Sequence, residues 1–154
     1  MFVFLRALGL QPIEWNEAVL ATGRPNPYVG EVLDAAFARA QTVVVLMTPD
    51  DEARLREPFR EPDDPAHETA STPQARPNVL FEAGMAMGRD ENRVVLVEFG
   101  ALRPFSDIGG RHTLRLNGSS ERRQELAQRL QSAGAAVNMT GTDWHSAGDF
   151  TPPA

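Results

Sequence analysis

Glu82 is the residue whose setting calls for chemistry. It stands in Arg76-Pro77-Asn78-Val79-Leu80-Phe81-Glu82-Ala83-Gly84-Met85-Ala86-Met87-Gly88-Arg89, which reads as a helix apolar almost all round with one carboxylate at its middle. Pro77 suits a first helical position and Gly88 a stop. Val79, Ala83, Ala86 and Met87 share one face, widened by Leu80 and Phe81. A helix of this composition is normally buried, and an ionised carboxylate there is costly unless it is paired, solvated in a cleft or at work. Asn78, Glu82 and Arg89 fall on one narrow polar stripe, which reads as the wall of a small-molecule site. The other reading of the same residues is a structural Glu82 paired with Arg76 or Arg89.

The residue types that are missing narrow the chemistry. All 15 basic residues are arginine, which removes Schiff-base chemistry and the lysine of a phosphate-binding loop. There is no cysteine, so thiol nucleophiles and most structural zinc sites are excluded. His67, His112 and His145 are scattered without metal-ligand spacing, and no metal site is expected. Carboxylates must carry any catalysis. A net charge of −6 with no basic run argues against direct nucleic-acid binding. At 154 residues and 42% hydrophobic, the chain is expected to form one domain with its own core. No stretch is long enough to span a membrane and no leader opens the sequence, so a cytoplasmic protein is expected. The arginine-only usage is consistent with a high-GC bacterial genome.

The elements that must position these residues alternate in type. Met1 to Leu10 reads as a strand at Phe2 to Leu5 or, in preference, as the end of a helix closed by Gly9; Gln11 to Trp15 reads as a short strand and Asn16 to Pro27 as a loop. Tyr28 to Ala40 has the clearest 3.6-residue period, and Thr42 to Thr48 is a β-branched run typical of a strand buried on both faces. Thr48 is then placed to cap a short helix beginning at Pro49; Asp50, Asp51 and Glu52 resemble a metal cluster, but a favourable interaction with the dipole of that helix explains them better. Glu57 to Ala75, rich in proline and acid, reads as a flexible lid or a disordered run. After the Glu82 helix come a buried strand at Arg93 to Phe99, a loop from Gly100 to Gly110 with one turn at Phe105 to Ile108, and an edge strand at Arg111 to Leu116. An amphipathic helix at Ser119 to Ala133 is stopped by Gly134, and Ala135 to Asn138 reads as a last short strand. Domain boundaries are set at 1–138, with a tail at 139–154 anchored by Trp144 and Phe150 and ending in Pro152-Pro153. Such alternation makes an α/β three-layer sandwich with a mostly parallel sheet, whose ligands sit beyond the carboxyl ends of the strands.

Four segments carry a resemblance: Gly9-Leu10-Gln11-Pro12-Ile13, Val43 to Asp51, Ala75 to Gly84, and Arg93 to Val97. In this order and combination the chain resembles the TIR-like nucleotide-binding domains of bacteria, found as effectors in cyclic-nucleotide antiphage systems, from about Met1 to Val137. The resemblance implies a flavodoxin-like fold, NAD+ glycohydrolase activity with NAD+ as substrate rather than cofactor, and work as a homo-oligomer through TIR–TIR contacts. It also implies that Glu82, in the Asn-x-x-Phe-Glu-x-Gly position, is the catalytic carboxylate. Members open with a strand in the middle of the sheet, whereas this sequence begins at the first helix. An N-terminally truncated domain is therefore expected, with Gln11–Trp15 and Thr42–Thr48 lacking the neighbour between them.

Under this reading Asn78 orients the nicotinamide ribose, or else serves the helix start as a capping residue. Thr48 touches ribose or phosphate at the strand end, or simply caps. Arg76 and Arg24 are candidates for pyrophosphate contacts, against the reading of solvated loop arginines. Trp15 either stacks on a base or packs in the core. Two rival functions stand beside the hydrolase: a nucleoside deoxyribosyltransferase-like enzyme with Glu82 as covalent nucleophile, and a non-catalytic nucleotide-binding or interaction module.

Overall fold

β-branched and aliphatic residues dominate Val43–Met47 and Val94–Phe99, and these two runs form the centre of the fold as strands β1 and β4. The computed structural model describes residues 1–108 and 110–151, Asp107 by its backbone alone. β1 pairs with β4 in parallel, Val43 opposite Val94 through Met47 opposite Glu98. β4 pairs in parallel with the short strand β5, Leu114–Leu116, giving the order β1-β4-β5.

Side chains alternate across this sheet and feed two cores. Val44, Leu46, Val95 and Val97 meet helices α1 (Phe2–Ala7) and α6 (Ser120–Ser132) in a cluster built on Phe4, Leu8, Leu114, Leu126 and Leu130. Val43, Val45, Met47 and Leu96 meet α5 (Pro77–Asp90) through Val79, Leu80, Ala83 and Met87. The result is the expected α/β sandwich with a parallel main sheet and helices on both faces. Gly9 ends α1 at a positive φ of 75°, and the amide of Leu10 donates back to the Leu5 carbonyl at 3.0 Å.

Several local expectations are corrected. Residues 11–14 form no strand, and Trp15–Ala21, read as strand end and loop, is helix α2. The reason is the capping exchange at its start, where the Glu14 amide donates to the Glu17 carboxylate at 3.0 Å. Trp15 at its head is 52% exposed, so the core-packing reading fails. Val29–Arg39 is helix α3, as the period implied. No helix follows Thr48: Asp51–Ala53 is strand β2, paired antiparallel with β3, Thr72–Gln74. The acids there answer to no helix dipole.

The proline-rich run between them carries a 3-10 turn at Glu57–Phe59 and a helical turn α4 at Ala66–Thr69. Its ends are tied where the Leu55 amide donates to the Glu68 carbonyl at 2.7 Å, so the run carries local structure of its own. Residues 135–138 hold to α1 through one bond, the Asn138 amide to the Leu8 carbonyl at 2.8 Å, without forming a strand. α5 runs past Gly88 to Asp90. Gly109 in the 100–110 loop and Pro152-Pro153 in the tail lie outside the described residues.

The tail is fastened by a buried cation. Arg123 of α6 is 5% exposed, and its guanidinium donates to the carbonyls of Gly118 (3.1 Å), Ala147 and Gly148 (2.8 Å). It lies 4.5 Å from the Phe150 ring centroid, and Phe150 meets Phe4 edge to face at 5.5 Å. Burial pushes the Arg123 guanidinium below its ordinary value, opposed by the Asp149 carboxylate. Replacing it, Arg123→Met, is expected to cost about 2–4 kcal/mol by leaving three carbonyls without their donor. Chemical denaturation measures this, and faster proteolysis within 139–151 should accompany it; Arg123→Lys should recover only part, since an ammonium cannot span the three acceptors.

On the same helix Glu125 accepts from Arg129 (2.6 Å) and from Arg122. Burial opposes ionisation of this carboxyl, yet the two arginines hold it below its usual value. A folded-state value below the unfolded one gives stability that is present above the usual carboxylate range and lost as pH falls through the folded value. Glu125→Gln is therefore expected to lose about 1 kcal/mol at neutral pH. That deficit should close as the parent protein is acidified, read from urea denaturation at a series of pH values.

Candidate functional site

The carboxyl end of β1 and the first turns of α5 are adjacent because α5 leads from the β2–β3 arm into β4 alongside β1. Pro77 occupies the first helical position and Arg76 the N-cap, without a side-chain capping bond. Thr48 Oγ1 donates to Asp50 Oδ2 at 2.9 Å, and Arg76 Nε lies 3.5 Å from the same oxygen. Asp50 thus joins the strand end to the helix start. Asn78 is the second residue inside α5 and exposed, so the capping reading fails. The capping reading of Thr48 fails too, since its hydroxyl goes to Asp50 and no helix follows.

Glu82, one turn on from Asn78, is half-buried and forms no hydrogen bond or ion pair among the described residues. Both arginines that could have neutralised it are engaged elsewhere. Arg76 turns to Asp50, and Arg89 pairs with Asp34 of α3 while lying 5.9 Å over the Phe37 ring. The reading of Glu82 as a structural partner of either arginine is overturned. At about 100° per residue Glu82 and Arg89 differ by roughly 20° around the helix, so Glu82 lies on the side turned to α3. The helix is less buried than its composition implied: Phe81 is 69% exposed, with Gly84 and Gly88 also at the surface.

A cavity of about 340 Å³ opens at the carboxyl ends of β1 and β4, lined by Met47, Leu80, Glu98, Arg103 and Phe105 among others. Its position fits the general rule for parallel sheets. Leu80, however, sits roughly 160° around α5 from Glu82, so the helix presents Leu80 to this cavity and Glu82 away from it. Glu98 accepts from Thr113 (3.2 Å) and Arg115 (2.9 Å), and Arg103 pairs with Glu68. Thr48, Arg76, Asn78 and Glu82 therefore lie along one strand end and two helical turns. Arg24 stands apart in the α2–α3 connection, 2.8 Å from Glu31.

Sequence reasoning passed over two residues. Asp50 was read as a helix-dipole partner in preference to a metal-cluster acid, because its link to Arg76 crosses 26 positions and is invisible to local pattern. Glu98 carried a usable signal, a lone acid within the apolar run Val94–Phe99. Among the described residues no group of three or more His, Asp or Glu side chains is gathered as a metal cluster, and no helix is long and apolar enough to cross a membrane.

An unpaired Glu82 contributes little to folding. Glu82→Gln is accordingly expected to leave stability within about 0.5 kcal/mol of the parent, shown by coincident denaturation curves. A larger loss would reveal a structural role.

The family model described as CAP12/Pycsar effector protein, TIR domain, matches residues 1–118, a span that contains both main strands, the β2–β3 arm and the whole of α5. Comparison with curated proteins and with solved structures finds no match. A match over this much of the sequence, on a parallel α/β sheet of the expected kind, decides the family: the chain belongs to the TIR domains of the CAP12/Pycsar effector proteins, a family of antiphage effectors.

Proposed function

We propose that this TIR domain binds NAD+ or a related nucleotide and, assembled with further copies through TIR–TIR contacts, cleaves the nicotinamide–ribose bond with Glu82 as its catalytic carboxylate. The observation that supports this most is a half-buried carboxylate left without a counter-ion while Arg76 and Arg89 serve other acids. A free carboxylate in an apolar helix is arranged for a charge that arrives with the ligand.

The chemistry asks for little else. The C–N bond breaks heterolytically, its electron pair leaves with nicotinamide, and the ribose passes through an oxocarbenium-like state. Nicotinamide departs neutral, so no acid is needed to protonate it and one carboxylate suffices. Glu82 accepts a ribose hydroxyl and stabilises the positive charge at the anomeric carbon. Water then adds there and releases a proton, giving ADP-ribose; an internal nucleophile gives a cyclic product instead. Asn78, one turn earlier on the exposed side of α5, orients the ribose. Thr48 and Arg76 at the strand end, and Arg24 across the α2–α3 connection, are assigned to ribose and pyrophosphate.

The assay is release of nicotinamide from NAD+ by the assembled protein. Glu82→Gln is expected to lower turnover by about a hundredfold or more, the usual scale for removing one transition-state charge partner. Wild-type turnover in that variant refutes the catalytic assignment. A non-catalytic binding module is the second reading, favoured by the strand-end cavity being lined by Leu80 and not by Glu82. Calorimetric binding of NAD+ without product would decide for it, and base exchange between deoxynucleosides would decide for the transferase reading.

A further inference from the structure

The cavity beyond the ends of β1 and β4 lies on the Leu80 side of α5, away from Glu82. Glu98 lines it because side chains alternate along β4. Val95 and Val97 turn to α1 and α6, whereas Val94 and Leu96 turn to α5. Glu98 continues the second set, so a carboxylate stands where the next apolar residue of the α5 cluster would be. Its oxygens accept from Thr113 at 3.2 Å and Arg115 at 2.9 Å. An ionised carboxylate offers about four lone-pair positions, so about two are left for a ligand.

Arg103 enters from the loop after β4. Its amide donates to the Pro73 carbonyl at 2.6 Å, and its side chain, 17% exposed, reaches Glu68 of α4 through Nη2. Nε and Nη1 have no acceptor among the described residues. The side-chain amide of Gln74, also in the lining, has no hydrogen bond among them either. Three polar side chains with capacity to spare thus stand around one hollow whose other walls, Met47, Leu80 and Phe105 among them, are apolar.

Size and charge select the occupant. At about 340 Å³ the cavity is at the small end of ligand sites and equals about eleven waters in volume. One ring system with its substituents fills it, whereas NAD+, with two bases, two riboses and two phosphates, does not fit. Each lining carboxylate already has an arginine, Glu68 with Arg103 and Glu98 with Arg115, so no ligand charge is asked for. A phosphate there would face both acids. The spare N–H groups of Arg103 call for an acceptor, the spare lone pairs of Glu98 call for an N–H donor, and Gln74 can serve either. An acceptor beside an N–H is the edge of a nucleobase or of an aromatic carboxamide. We infer that this cavity is a second small-molecule site, which takes a neutral heteroaromatic ring with such an edge, a free purine base or nicotinamide, whether or not Glu82 is catalytic.

Calorimetric titration of the protein with adenine and, in a separate arm, with nicotinamide tests this. At least one ring is expected to bind one-to-one with a Kd below about 1 mM, and the arm that binds names the source. Nicotinate, a carboxylate on the same kind of ring, is expected to bind at least about tenfold more weakly than that ring. Glu98→Leu removes the acceptor, and Ser106→Trp sets an indole at an exposed position of the lining. Each is expected to weaken binding by about tenfold or more. The two positions are independent, so if denaturation curves show that one variant is misfolded, the other carries the test. Glu82→Gln, on the other side of α5, is expected to bind the ring as the parent does. No binding of either ring, nicotinate binding as tightly, or binding that survives substitution in the cavity overturns the inference. Binding lost in Glu82→Gln assigns the ring to the Glu82 face and also overturns it. None of these outcomes depends on NAD+ turnover, so the hydrolase reading and this site can fail separately.

Discussion

The parallel ladder between β1 and β4 is the contact on which the other layers are assembled. Each strand is apolar on both faces, so the pair must be covered from above and below at once. α1 and α6 cover one face and α5 the other, and the two hydrophobic clusters exist because residues 44 and 46 point opposite to residues 43, 45 and 47. The same ladder fixes where the polar chemistry goes. A strand that enters β1 as an unbroken apolar run can place a hydroxyl or carboxylate only at its end, and there Thr48 and Asp50 meet Arg76.

The division of charge around α5 follows from this placement. Arg76 at the head of the helix and Arg89 near its foot are each drawn to an acid on a neighbouring element, Asp50 after β1 and Asp34 on α3. Glu82 lies between them on the α3 side and receives neither. Were either arginine free, the helix would be a structural strut with a neutralised carboxylate. With both engaged, Glu82 is left without a counter-ion among the described residues. Much of the structural load falls at the other end of the molecule, where Arg123 uses three carbonyls and two aromatic rings to hold the tail against α1.

Legibility in the sequence depended on how local each cause was. β1, α3, β4 and α6 were readable because their periods arise from which face meets the core. Trp15–Ala21 was misread as loop because proline and glycine nearby outweighed a capping exchange between Glu14 and Glu17. β2 and β3 were missed because each is three residues long and exists only through its partner 20 or so positions away. The unpaired state of Glu82 was the harder matter. Spacing put Arg76 and Arg89 within its reach, and only the approach of Asp50 and Asp34 from distant segments decided that neither would take it.

By itself the sequence determined the class of fold, the central apolar strands, the helix that bears Glu82 and the exclusion of lysine and thiol chemistry. These follow from residue type and period, which act over one or two turns. Tertiary structure alone decided which charges pair, which side of α5 faces the strand-end cavity, how the tail is clamped, and that β1 stands at the end of its sheet beside an apolar groove. Those outcomes depend on distances between segments far apart in the chain, and no local propensity encodes them.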